Sequence, residues 1–291
     1  MNPDNPDLHL EVFAGALDHP ECCAFDREGR LWAGGEAGQV YRIDPTGKSE
    51  TVAHVGGFCS GIAFRPDERE IFVCVAGRGV IRFARNGAQE LFAASAGQHA
   101  IVAANHLVFD RRGRLYVTDS GNWMRGNGFV LRFDAVDAAT KEEPCGEVLA
   151  GPFGYVNGLA LSADERHLYV VESDTDSVLR FQIGENGRLG EAEVYANDVG
   201  RFPDGLAFDA QGNLYVCCYA SDEIWRIGPD RVKTRIAHDR WGILLGGPTN
   251  LAFGGKEFDE IFVANLGRTT ITRVKLGIPG QPLANLLFPE L

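Results

Sequence analysis

The chain has 291 residues, 45% hydrophobic and 23% charged, a composition ordinary for a folded soluble protein and unlike that of a disordered one. A formal charge of −12 argues against nucleic acid or an anionic membrane surface as a partner, since either needs a cationic face. No run of about eighteen apolar residues occurs, and MNPDNPDLHLEVFAG has no basic stretch followed by an apolar one, so a cytoplasmic protein without secretory signal or membrane span is expected.

In chain order, the first predicted strand is EVFA, ending at Ala14. A longer motif follows and recurs six times: ECCAFDREGRLWA from Glu21, SGIAFRPDEREIFV from Ser60, NHLVFDRRGRLYV from Asn105, NGLALSADERHLYV from Asn157, DGLAFDAQGNLYV from Asp204 and TNLAFGGKEFDEIFV from Thr249. Each copy reads as a short apolar strand, a turn rich in Asp, Gly or Glu, and a second strand rich in Val, Tyr and Phe. A third strand recurs as VYRID, VIRFA, VLRFD, VLRFQ, IWRIG and ITRVK. A fourth recurs as ETVA, ELFA, EVLA, EVYA and TRIA, in the pattern of the opening EVFA. Six four-stranded antiparallel units repeating every 40–50 residues or so predict an all-β fold, a six-bladed β-propeller forming a single domain over 1–291. The last unit has three strands of its own, so the N-terminal strand is expected to complete it and close the ring.

Two insertions break the period. SGNWMRGNG, 120–128, separates the second and third strands of the third unit, and 135–146 extends the next connection. The first carries Trp123, Met124 and Arg125 among Gly and Asn, and reads as a pocket wall or lid, or equally as an ordinary loop with Trp123 packed down on the blade. The seven cysteines include the adjacent pairs Cys22-Cys23 and Cys217-Cys218, form no CxxC motif and are expected as small buried residues of strands.

Aligning the copies on Phe25, Phe64, Phe109, Leu161, Phe208 and Phe253 brings one position, four residues upstream, into register as Glu21, Ser60, Asn105, Asn157, Asp204 and Thr249. An oxygen-bearing side chain stands there in every copy. The first strand of a propeller blade lines the central channel, so these six converge in a ring. Two carboxylates and two carboxamides facing one another are costly to bury without a cation. An oxygen-only set with no His or Cys favours calcium, magnesium or manganese over a thiolate zinc site. Ser60 and Thr249 can alternatively cap neighbouring strands through their hydroxyls.

VNGLALSAD, FPDGLAFDAQGNLYV and GGPTNLAFGG resemble the regucalcin and gluconolactonase family of six-bladed propellers, and the resemblance runs over essentially the whole chain. It implies one divalent cation, calcium first with Mg, Mn or Zn as alternatives, held by Glu21, Asn157 and Asp204, with Asn105 contacting metal or substrate. It also implies a small-molecule lactone substrate, a sugar aldonolactone such as gluconolactone, hydrolysed by water with Asp204 as general base. Ser60, Trp123, Thr249 and Asn250 are the expected pocket neighbours. Two positions depart from the family: Cys22-Cys23 stands where Gly-Pro is usual, and Ala103 where the animal proteins carry an arginine that holds sugar, a role for which Arg125 is a candidate substitute.

Other nucleophile schemes find little support. GFCSG around Ser60 lacks the GxSxG spacing, His106 is expected to point away from the channel as a structural histidine, and SDTDS from Ser173 reads as a solvated turn. The rival functions are another metal-dependent ester or phosphotriester hydrolase on the same scaffold, and a non-enzymatic interaction propeller, since LYVTDSGN resembles NHL repeats.

Overall fold

The computed structural model describes residues 8–84, 88–134 and 144–287. Residues 1–7 of the N-terminal stretch and 135–143 of the second insertion lie outside them. Six four-stranded antiparallel sheets follow one another as expected. From channel to rim, blade 1 is Cys22–Phe25, Leu31–Gly34, Gln39–Ile43 and Ser49–His54, and blade 2 is Cys59–Phe64, Glu70–Val75, Gly79–Ala84 and Gln89–Ala93. Blade 3 is Ala104–Phe109, Leu115–Asp119, Gly128–Phe133 and Gly146–Phe153; blade 4 is Val156–Leu161, His167–Glu172, Ser177–Gln182 and Glu193–Ala196. Blade 5 is Pro203–Phe208, Leu214–Cys218, Glu223–Ile227 and Lys233–His238. Blade 6 is Pro248–Gly254, Glu260–Asn265 and Ile271–Lys275, completed by the N-terminal strand Leu10–Ala14, which pairs with Ile271–Lys275. Each inner strand contacts those of both neighbouring blades, including first with last, so the ring is closed.

The repeated motif holds the ring together through its anchor residue. Phe64, Phe109, Phe208 and Phe253 each meet, edge to face, an aromatic ring on the preceding blade: Trp32, Phe72, Tyr169 and Tyr215, with centroids 4.9–5.7 Å apart. Phe25 does the same with Phe262 of blade 6 at 4.9 Å. Each pair contributes about 0.5–1.5 kcal/mol beyond the area it buries. The turn aspartate closes the inner hairpin. Asp209 accepts hydrogen bonds from the backbone N–H groups of Gln211 and Asn213 and, through its other oxygen, from Tyr215 Oη at 3.1 Å. Six of the seven cysteines are buried, as expected; only Cys145 is exposed. Burial pushes the Cys23 and Cys59 thiols up to about 12, which removes them as nucleophiles at neutral pH.

Beyond the last blade strand, the C-terminal segment crosses one end of the channel. Gln281 Nε2 donates to the Leu161 carbonyl of blade 4, while Asn285 Nδ2 donates to the Phe25 carbonyl of blade 1 and to Glu68 Oε1 of blade 2. Among the described residues no helix is long and apolar enough to cross a membrane.

Candidate metal centre

At the other end of the channel the inner strands are bulged where the ring residues stand. Pairing jumps from Val156↔Glu172 to Leu159↔Val170, from Pro203↔Cys218 to Leu206↔Val216, and from Ala104↔Asp119 to Leu107↔Val117. The skipped residues include Asn157, Asp204 and Asn105, whose side chains the bulges turn toward the axis. Close approach of the strands depends on the following residue. A Cβ on Gly158 would lie 2.4 Å from the Asp204 carbonyl oxygen, and one on Gly205 2.5 Å from that of Thr249.

Glu21, Ser60, Asn105, Asn157, Asp204 and Thr249 thus line one cavity of about 200 Å³, and all six are buried. Hydroxyl groups fasten its circumference. Ser60 Oγ donates to the Ala104 carbonyl at 2.7 Å, Thr118 Oγ1 to that of Asn157 at 2.7 Å, Ser173 Oγ to that of Pro203 at 2.6 Å, and Thr249 Oγ1 to that of Glu21 at 2.8 Å. The hydroxyl hydrogens of Ser60 and Thr249 are therefore engaged by neighbouring strands, the capping role open to them from sequence.

The acid and amide side chains are differently placed. Glu21 Oε2 and Asn157 Oδ1 are buried acceptors with no hydrogen-bond partner. Asn157 Nδ2 lies 3.3 Å from Ser173 Oγ, which fixes one side of the carboxamide. Burial, followed by the nearby Asp204 charge, raises Glu21 well above the usual carboxylate range. Burial likewise raises Asp204, against a hydrogen bond from Asn157 that lowers it. Among the described residues no Lys, Arg or His lines the cavity. Two buried carboxylates and orphaned oxygens without a protein cation match the donor set that a hard divalent ion takes, so the residues present fit one.

Around this floor stands an aromatic wall. Trp123 stacks on Phe202 with centroids 4.5 Å apart and planes at 26°, and Tyr155 lies 5.2 Å from Trp123. Phe58, Tyr219 and Leu266 also line the cavity, as do Ala76 and Ala103. Trp123 thus lines the cavity, whereas Arg125 is exposed and absent from the lining. The aromatics Phe58, Tyr155 and Phe202 escaped the sequence reading, yet each stands two residues before a ring position, at Ser60, Asn157 and Asp204.

Three expectations are corrected. Asn250 does not line the ring cavity: it and His106 occupy the position after the ring residue and face a second, mainly apolar chamber of about 80 Å³ deeper in the channel. There Asn250 Nδ2 and His106 Nε2 are 3.1 Å apart, and His106 Nδ1 accepts the Leu159 N–H at 3.1 Å, so His106 faces the channel axis while remaining a satisfied structural histidine. That chamber, walled by the anchor residues and covered by the C-terminal segment, offers no comparable set of acids. SDTDS is not merely a solvated turn either. Ser173 is buried against Asn157, and Asp176 Oδ1 accepts the Phe202 N–H at 2.7 Å, because the turn packs on the entry to blade 5.

A family model described as the SMP-30/gluconolactonase/LRE-like region matches residues 19–266, which include all six ring positions. The chain belongs to this family. The SMP-30/gluconolactonase/LRE-like relatives include a 6-deoxy-6-sulfogluconolactonase of Pseudomonas putida, 30% identical over 48% of this chain and 46% of that one. Regucalcin of Gallus gallus is 29% identical over 38% of this chain and 36% of its own. The matched segment thus spans under half the length of either relative. Among solved structures, a gluconolactonase from Xanthomonas campestris superposes with TM-score 0.79 at 18% identity, covering 94% of this chain and 91% of that one. A calcium-binding regucalcin from Agrobacterium tumefaciens gives 0.71 at 18% identity, covering 92% and 95%. At these identities the structural likeness bears on the fold alone.

Proposed function

We propose that this protein is a divalent-metal-dependent lactonase working at the aromatic-walled end of the channel. The observation that carries the reading is the convergence of Glu21, Asn157 and Asp204 from three blades, with two buried oxygens left unpaired and no cationic side chain beside them. An interaction propeller has no use for so costly an arrangement. The lactonase names of the Pseudomonas putida and Xanthomonas campestris relatives support the reaction class.

Glu21, Asn157 and Asp204 would hold the ion, calcium before magnesium, manganese or zinc. Bound there, it supplies a Lewis acid for the lactone carbonyl. Asn105, whose carboxamide lines the same cavity, orients the substrate. The Asp204 carboxylate accepts a proton from the attacking water as the water oxygen bonds to the carbonyl carbon. The ring C–O bond then breaks, and the ring oxygen takes the proton back from Asp204, leaving a hydroxy acid. The aromatic wall restricts bulk water at the reacting centre.

The hydroxy acid is fully ionised at neutral pH, so turnover is read as proton release on a panel of five- and six-membered lactones. Chelated protein should be inactive and regain turnover when one of the four ions is returned. Tight metal binding with turnover of uncharged esters or phosphotriesters only would reassign the reaction, and absence of metal binding would return the chain to the interaction class.

A further inference from the structure

We propose that the site selects lactones whose ring carries an uncharged, flat apolar substituent, such as an aryl group, laid against the Trp123–Phe202 stack. This rests on the lactonase reading and concerns what that site accepts. The wall is assembled from separate segments: Phe58 enters blade 2, Tyr155 enters blade 4, Phe202 enters blade 5, Tyr219 follows that blade's second strand, and Trp123 comes from the insertion in blade 3. Phe202 is held at a φ of 52°, a backbone region that a bulky residue rarely adopts, and the Asp176 hydrogen bond to its N–H fixes it there. Trp123 remains 55% exposed although it stacks on Phe202, so apolar ring surface stays available beside the cavity. A lone exposed tryptophan means little. A contiguous aromatic arc around a cavity with a few convergent polar groups is the form of a ligand site.

The polar inventory decides what kind of ligand. The hydroxyl hydrogens of Ser60 and Thr249 go to strand carbonyls, and Asn157 engages Ser173. Glu21, Asn157 and Asp204 are assigned to the ion, which leaves Asn105 as the ring side chain for the substrate. Beyond Asn105 the wall offers the hydroxyls of Tyr155 and Tyr219, fewer groups than a polyhydroxylated sugar lactone would need; its remaining hydroxyls would lie against Phe58, Trp123, Phe202 and Leu266, where they lose water without gaining partners. An anionic substituent fares worse still: with Glu21 and Asp204 balanced by the ion, it would lose its water with no Lys, Arg or His of the lining to pair with it. Ala76 and Ala103 add small apolar side chains to the same lining.

The test compares kcat/KM of the metal-loaded protein on a phenyl-substituted δ-valerolactone, unsubstituted δ-valerolactone, gluconolactone and a carboxylate-bearing glucarolactone. The phenyl compound should exceed gluconolactone by about tenfold or more, with glucarolactone poorest. Trp123→Ala should lower the ratio of phenyl to unsubstituted substrate about tenfold, and Trp123→Phe should recover part of it. Gluconolactone or glucarolactone equal to or better than the phenyl compound would overturn the inference. Should no lactone turn over, the lactonase reading fails, and the wall is tested by binding instead. The cyclic ether 2-phenyltetrahydropyran should quench tryptophan fluorescence in the wild type and not in Trp123→Ala, and equal response of the two proteins would overturn the assignment of the wall.

Discussion

Thr249, on the last inner strand, donates its hydroxyl to the backbone carbonyl of Glu21, which immediately precedes the first, at 2.8 Å. One hydrogen bond thus joins the two ends of the ring and positions the backbone of a proposed metal ligand. Both residues are buried, so Thr249→Val leaves the Glu21 carbonyl without this donor at a cost of about 1–3 kcal/mol. Denaturant titration should show that loss. Calorimetric titration should show calcium affinity weakened about tenfold, the effect of loosening a residue that orients a ligand.

Metal affinity should depend on pH in a fixed direction. Burial raises both Glu21 and Asp204 above their ordinary values of 4.5 and 3.8 in the metal-free protein, so binding an ion displaces protons. Affinity therefore rises with pH from the ordinary carboxylate range upward. For the chelated protein the stability effect has the opposite slope: raised folded-state values favour the fold fully below the unfolded values, and this contribution is lost as pH rises through the folded ones. Titrations at several pH values, in buffers of differing ionisation heat, check both the slope and the proton release.

His106 contributes with the reverse sign. Burial lowers it from 6.5 to about 4, and its Nδ1 accepts the Leu159 N–H. Between those values the unfolded chain binds a proton that the folded chain does not. Its contribution is complete above pH 6.5 and is lost as pH falls to 4, on the order of 3 kcal/mol in all. His106→Gln should flatten this part of the acid limb, seen as a smaller loss of denaturation midpoint between pH 7 and pH 4 than in the wild type.

The six ring residues were legible because the motif around Phe208 and its counterparts fixes strand register, and one repeated register position must face one axis. N-terminal closure was legible because the strand ending at Ala14 matched the fourth strands of the other blades while blade 6 lacked its own. Apart from Trp123 the wall was not read, since Phe58, Tyr155 and Phe202 lie where strands begin, outside the alternation that marks a buried face. Their shared offset from the ring was the available signal. Asn250 was misplaced because the bulge that turns Thr249 toward the ring cavity directs the next residue to the deeper chamber. Ser173 and Asp176 looked like a polar turn because nothing local reports that the next blade covers it.

The most direct measurement is calcium titration into chelated wild-type protein and into Asp204→Asn, with thermal unfolding of both recorded alongside. Asp204→Asn keeps the volume of the side chain and removes its charge, so the fold should survive. The account predicts one calcium site in the wild type, affinity at least about a hundredfold weaker in the variant, and calcium raising the unfolding temperature of the wild type alone. Equal binding by a folded Asp204→Asn, or no divalent-ion binding by the wild type, would contradict a metal centre built from Glu21, Asn157 and Asp204.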